Sequence, residues 1–299
     1  MSRRTVSVIA ALLAIGLLVG ITPPAARADG PYIYWLQYNG NTTLGRMNLD
    51  GTDKNFAFVD LNDDAVPWSI VTDGTYLYWT NFYFASSSIG IGRVDLAGTN
   101  LNEHYVTLSG GQPRDLAIRG DYLYWTIQTD GASSAIGRVK TDGTDLNESY
   151  IDLGTEAEPN ALVIKGPYIY WTDDATASIG RVKLNGSKKN ENFVKNLDVG
   201  EELLNFVDLI TVGNYLYWSN ADANIIGRVK LNGKAKDISF IDPGPTGMAY
   251  SLARQGNNLY WLDFDALSIG RSKLNGKNRN NSYIDITSGS LPSGLLIAP

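Results

Sequence analysis

The sequence predicts an all-β fold, a six-bladed β-propeller, on three observations. A Tyr-Trp phrase recurs six times, anchored by Trp35, Trp79, Trp125, Trp171, Trp218 and Trp261 at intervals of 43 to 47 residues. Each copy continues into an Ile/Leu-Gly-Arg phrase and a glycine-containing turn. The C-terminal segment 291–299 has no repeat of its own and reads as a missing strand of the first. A period near 45 with strand-like content is the signature of radially repeated β-sheets.

The fourth copy shows how each strand is recognised. Ala161–Ile164 is a short apolar run closed by Lys165-Gly166-Pro167, and Tyr168–Thr172 is a second strand. Ile179–Leu184 is a third, ended by Asn185-Gly186, a strong short-range hairpin signal, and Glu191–Val194 is a fourth. Successive side chains of a strand point to opposite faces, and both faces of Tyr168–Trp171 are large and apolar. A blade packed between two neighbours needs such a strand. Written ahead of residues 29–35, the C-terminal residues from Gly294 onward align with Pro159–Trp171 without a gap. They therefore supply the innermost strand of the first blade, four antiparallel strands per blade throughout, and remove free sheet edges.

Residues 1–28 read as a secretory signal peptide. Arg3 and Arg4 precede the apolar run Val6–Ile21, and Ala26-Arg27-Ala28 fits a small-x-small cleavage site. Residues 29–299 then form one propeller domain, secreted, with no transmembrane segment after cleavage. That part carries 22 basic and 31 acidic residues, which argues against a nucleic-acid partner. The chain has no cysteine, so stability rests on its core; an exported protein without disulfides fits a bacterial source.

The run Tyr170-Trp171-Thr172-Asp173, with Ile179-Gly180-Arg181 and Leu184-Asn185-Gly186, resembles the YWTD repeat, the class B repeat of the low-density lipoprotein receptor. All six copies share the resemblance, which implies a six-bladed propeller that binds a protein or another ligand on one face. Only the fourth copy keeps both Thr and Asp, and the cysteine-rich modules that flank the animal propellers have no counterpart. The resemblance thus implies a fold and a style of binding, not lipoprotein recognition.

His104 is the single histidine, on an outer strand of blade two, so histidine relays and multi-histidine zinc sites are excluded. No phosphate-binding glycine loop is present; the many glycines instead follow the turns. The repeated Arg46, Arg93, Arg138, Arg181, Arg228 and Arg271 are read as structural, their stems lying over aromatics.

Asymmetry among the repeats is the guide to function. Trp and Arg stand ten residues apart in blades four to six, but 11, 14 and 13 apart in blades one to three. The longest insertion reads as a loop carrying Phe82, Tyr83 and Phe84, candidate contacts for a ligand. Eleven residues before each Trp, where links should open on the top face, stand Trp68, Arg114, Asn160, Val207, Tyr250 and, across the ring closure, Leu295. The next positions hold Ser69, Asp115, Ala161, Asp208, Ser251 and Leu296. Trp68, Arg114, Asp115, Asn160, Asp208 and Tyr250 make a polar and aromatic channel mouth.

Charge is also uneven: residues 29–160 hold 7 basic and 18 acidic residues, residues 161–299 hold 15 and 13. Calcium is the one ion considered, at Asp60-Leu61-Asn62-Asp63-Asp64, and no other cofactor is expected. The expected function is a secreted, non-catalytic binding platform for a protein or glycan at the cell surface or outside the cell. The alternative is a carboxylate-dependent hydrolase or lyase using Asp115 and Asp208. A structural protein that self-assembles through its rims is a third reading.

Overall fold

A computed structural model describes residues 30–83, 89–129, 132–198, 205–244 and 247–298; the leader 1–28 and Phe84 lie outside them. The described residues form twenty-four strands in six four-stranded antiparallel sheets, with no helix. In blade four the strands are Pro159–Lys165, Tyr168–Asp173, Ser178–Lys183 and Asn190–Val194, in that order from the axis outward. The other blades repeat this order, and the inner strand of blade one is Leu291–Ala298, paired with Tyr32–Tyr38.

The register of that closing strand corrects the gapless alignment. Leu295 pairs with Trp35 as Leu162 pairs with Trp171, so Ser293 and Gly294, not Leu295 and Leu296, occupy the mouth and channel positions. Ala298 pairs with Tyr32 where Lys165 pairs with Tyr168, so the joined ends place two more residues between the paired strands than the turn Gly166-Pro167 does. Every inner strand also carries a one-residue bulge, for example between Pro113 and Leu116 and between Pro159 and Leu162. Such a bulge re-aims the side chains it carries.

All six anchor tryptophans are fully buried. Each covers about 150–250 Å², an upper bound of roughly 4–6 kcal/mol per copy. Each indole lies over the glycine of the facing strand: a Cβ at Gly45, Gly92, Gly137, Gly180, Gly227 or Gly270 would sit 2.0–2.4 Å from the ring. These six glycines stand mid-strand, as the reading of Ile179–Leu184 as a strand expects, at positions where only hydrogen leaves room for Trp. The arginine reading holds: Arg181 Cζ lies 4.7 Å from the Tyr168 centroid and 3.9 Å from that of Phe193. Arg46, Arg93, Arg138 and Arg228 are sandwiched likewise, and Arg271 lies over Tyr283.

Neighbouring blades are joined inside and outside. Inside, in blades two to five the hydroxyl after the Trp accepts the bulge N–H of its own blade and donates to a carbonyl of the next, while in blade six, where Leu262 follows the Trp, Ser251 Oγ accepts from Leu295 N of blade one. Thr126 Oγ1 accepts from Asp115 N at 3.2 Å and donates to Asn160 O at 2.6 Å. Thr80, Thr172 and Ser219 repeat the bond to the next blade. Leu36 cannot, and Ser293 Oγ supplies the bond from blade one to Pro67 O at 2.6 Å.

Outside, each blade holds the one before it. Lys54, Lys189, Lys236 and Arg279 donate to the outer-strand carbonyls of Asp285, Asp152, Lys195 with Asn196, and Asp242. Blades two and three use glutamate instead. Glu103 accepts from Asn62 N at 3.0 Å, and Glu148 accepts from Ser109 N at 2.9 Å and Oγ at 2.8 Å.

Candidate ligand-binding site at the channel mouth

The six bulges put their first residues, Trp68, Arg114, Asn160, Val207, Tyr250 and Ser293, around the top of the axial channel. Trp68 of blade two meets Tyr250 of blade six at 5.9 Å between centroids, and Tyr250 meets Phe264 at 5.3 Å. Rings from blades two apart thus touch across the mouth, packed with Val207, Met248 and Leu295. Burial pushes the Tyr250 phenol far above its usual range, so it remains a neutral donor.

Arg114 Cζ lies 5.1 Å from the Trp68 centroid, and its Nε and Nη2 donate to Gln128 Oε1 at 3.3 and 3.0 Å. The guanidinium is therefore held over the indole. Asn160 Nδ2 donates to Asp174 Oδ2 at 3.2 Å, and burial pushes Asp174 up to about 7. Two buried polar atoms of this layer, Trp68 Nε1 and Asn160 Oδ1, have no hydrogen-bond partner among the described residues. Leaving such groups unpaired costs on the order of 1–3 kcal/mol each, which an incoming ligand or water would relieve.

The structure divides the expected aromatic loop. The second strand of blade two runs through Tyr83, so Phe82 and Tyr83 are strand residues and extra pairing, Phe82 with Ile89, takes up much of the insertion. Tyr83 is buried: its hydroxyl meets Asn81 Nδ2 at 2.8 Å and Glu103 O at 3.3 Å, and its ring lies 4.7 Å from that of His104. His104 itself is exposed. Phe82 points the other way and joins the mouth. With Val66, Trp68, Gln112, Pro113 and Arg114 it lines a hollow of about 250 Å³. A second hollow of about 490 Å³ adjoins it, sharing Gln112 and Arg114 and lined also by Gly111, Gln128 and Thr129.

Asp115 and Asp208 stand one layer below the mouth. Asp115 accepts from Ser69 Oγ at 2.6 Å, Leu116 N at 2.8 Å and Leu162 N at 2.6 Å. Asp208 accepts from Leu209 N at 2.6 Å, Ser251 Oγ at 2.8 Å and Leu252 N at 2.6 Å. Asp115 thus links blades two, three and four, and Asp208 links blades five and six; each staples the amide freed by the neighbouring bulge, a duty that sequence could not reveal because the bulges are invisible there. Ser69 and Ser251 do the same for Leu116 N and Leu295 N. Burial raises both carboxyls, and the Asp208 charge raises Asp115 further.

The segment 60–64 is engaged in turn formation: Asn62 Oδ1 accepts from Asp64 N, and Asp63 Oδ1 from Thr42 N. No group of three or more His, Cys, Asp or Glu converges among the described residues.

No protein-family model and no curated protein matches the chain. Solved structures do. A chain of the nidogen/laminin complex is similar over 90% of this chain and 99% of that one, at 18% identity and a TM-score of 0.71. A protein of Bacteroides fragilis provisionally named a 6-phosphogluconolactonase is similar over 92% and 100%, at 15% identity and a TM-score of 0.54. A puromycin-hydrolysing peptidase of Mycobacterium tuberculosis is similar over 85% of this chain and 42% of its own, at 13% identity and a TM-score of 0.53. At these identities the likeness shows the fold, a six-bladed propeller here, and leaves the activity to the site.

Proposed function

We propose that this chain is an exported bacterial propeller of the YWTD type, acting as a binding platform for a protein or glycan partner outside the cell. The contact surface is the top face of blades two and three, around Trp68, Phe82 and Arg114. One observation carries this reading. Six structurally equivalent junctions surround the mouth, yet the pairing of an indole, a stacked guanidinium and a second aromatic around a hollow occurs at one of them. A rigid aromatic anchor beside an arginine is the composition that dominates binding energy in interfaces. A nidogen/laminin complex is a two-protein assembly, which supports a protein partner first. Asp115 and Asp208 already hold the ring together, which weighs against the hydrolase or lyase reading.

Capture of partners from native cell-surface extracts by residues 29–299 tests this. Trp68→Ala and Arg114→Ala should each weaken capture at least about tenfold, corresponding to a hot-spot loss near 1.4 kcal/mol or more. Variants of the equivalent Ser293 should not. Capture that survives both substitutions in a folded protein would overturn the proposal.

A further inference from the structure

Below the aspartate layer the axis holds a cavity of about 310 Å³, walled by all six inner strands. Trp68 and Tyr250, which immediately precede the lining residues Ser69 and Ser251, meet each other at its upper end. Its walls are Val71, Ala117, Val163, Ile210, Ala253 and Leu296, and at the far end Ile118, Ile164 and Ile297 are half-buried while Arg254 is exposed. The cavity is therefore a tube with mostly aliphatic walls in its lower part and a polar upper part carrying Ser69, Ser251, Asp115 and Asp208. Its volume lies at the lower end of the small-ligand range, and its two lining acids, from blades three and five, are near enough that the Asp208 charge acts on Asp115.

Each of those carboxylates accepts three hydrogen bonds, where a carboxylate has room for about four. Both line the cavity, so the remaining acceptor positions belong to its upper part. Between them, blade four contributes Ala161 rather than a hydroxyl or acid, which leaves the space between the two carboxylates unbridged.

We propose that this tube is a second binding site, taking a small organic ammonium ion whose apolar body fills the tube and whose head donates to Asp115 and Asp208. Apolar walls favour an organic cation over a hydrated metal ion, which would need several more oxygen ligands than two carboxylates supply. The burial that pushes both carboxyls toward protonation makes a cation the complement that the pair lacks. Arg254 at the far end restricts the ligand's outer tail to neutral or anionic groups. The site is independent of the top face, and neither reading depends on the other.

Thermal unfolding of residues 29–299 with cyclohexylammonium, cyclohexanol, cyclohexanecarboxylate or calcium separates the outcomes. At about 100 times its dissociation constant the ammonium should raise the midpoint by roughly 5 °C or more. The alcohol and carboxylate should give little. Because Asp115→Asn and Asp208→Asn also disturb the staples, Val163→Trp provides the second variant: it blocks the tube and leaves both acids in place. All three should lower ammonium affinity at least about tenfold. Equal shifts with ammonium and alcohol, a shift with calcium but none with the ammonium, no shift at all, or undiminished affinity in Val163→Trp would each overturn the proposal.

Discussion

Blades one to three and blades four to six share one scaffold but join and present it differently. In the second half every outer junction is a cation reaching a carbonyl: Lys189, Lys236 and Arg279. In blades two and three the equivalent positions are Leu101 and Leu146, the two large exposed hydrophobics among the described residues. There glutamates two residues on do the holding. The first half also carries the acid excess, the longer second and third strands, and the Trp68–Phe82–Arg114 hollow. Architecture is thus conserved where burial enforces it, and chemistry diverges where solvent or a partner decides.

The sharpest test of a common scaffold is the Trp–Gly contact. Gly92→Ala in blade two and Gly227→Ala in blade five place a Cβ 2.3 and 2.2 Å from an indole carbon. Each should cost at least about 2 kcal/mol in chemical denaturation, by overpacking a site with no slack. A large difference between the two would mean that the halves do not share a core.

Smaller effects should expose the difference in junctions. Glu148→Ala and Lys189→Ala should each cost about 0.5–1.5 kcal/mol, as lost charge-assisted hydrogen bonds at a partly exposed rim. Adding Leu146→Lys to the glutamate variant should restore stability, since the new ammonium would stand where Lys189 stands one blade on. No rescue would show that the two clamp types are not equivalent.

The smallest effect is on pH dependence. Burial holds the folded-state pKa of Asp174 at about 7, above its unfolded value. The folded protein then binds more protons than the unfolded one between roughly pH 4 and 7, so this group's contribution to stability falls as pH rises through that window. Asp174→Asn should flatten part of that fall in midpoint against pH. A profile unchanged by the substitution would place the carboxyl in solvent.

What sequence could reveal follows from what repeats. Six copies fixed the blade count, the strand order and the arginine sandwiches, because these depend on residues within one repeat. The Trp–Gly contact repeats too, at nine or more residues' spacing between Trp218 and Gly227 or Trp125 and Gly137. It was missed because, although the glycine was placed in the third strand, nothing in that strand alone says which side chain of its neighbour lies over it. Ring closure was right in kind and wrong in register, because the alignment gave the joined ends the two-residue turn of blade four, whereas Ala298 pairs with Tyr32 and leaves four residues between them. Trp68, Arg114 and Tyr250, read from equivalent repeat positions, lie in contact in the structure. Tyr83 was misplaced, since an aromatic run after a strand reads equally as its continuation.

Inner bonds run from each blade to the next, and outer bonds from each blade to the one before. Every blade therefore grips both neighbours without help from the peptide link between them. Blade one already shows this internally, since Tyr32 and Ala298 face each other across a paired edge with no covalent connection. The order in which blades are strung along the chain is then a matter of history more than of stability. A gene opened at any other inter-blade link, with its present ends tied, should encode the same ring.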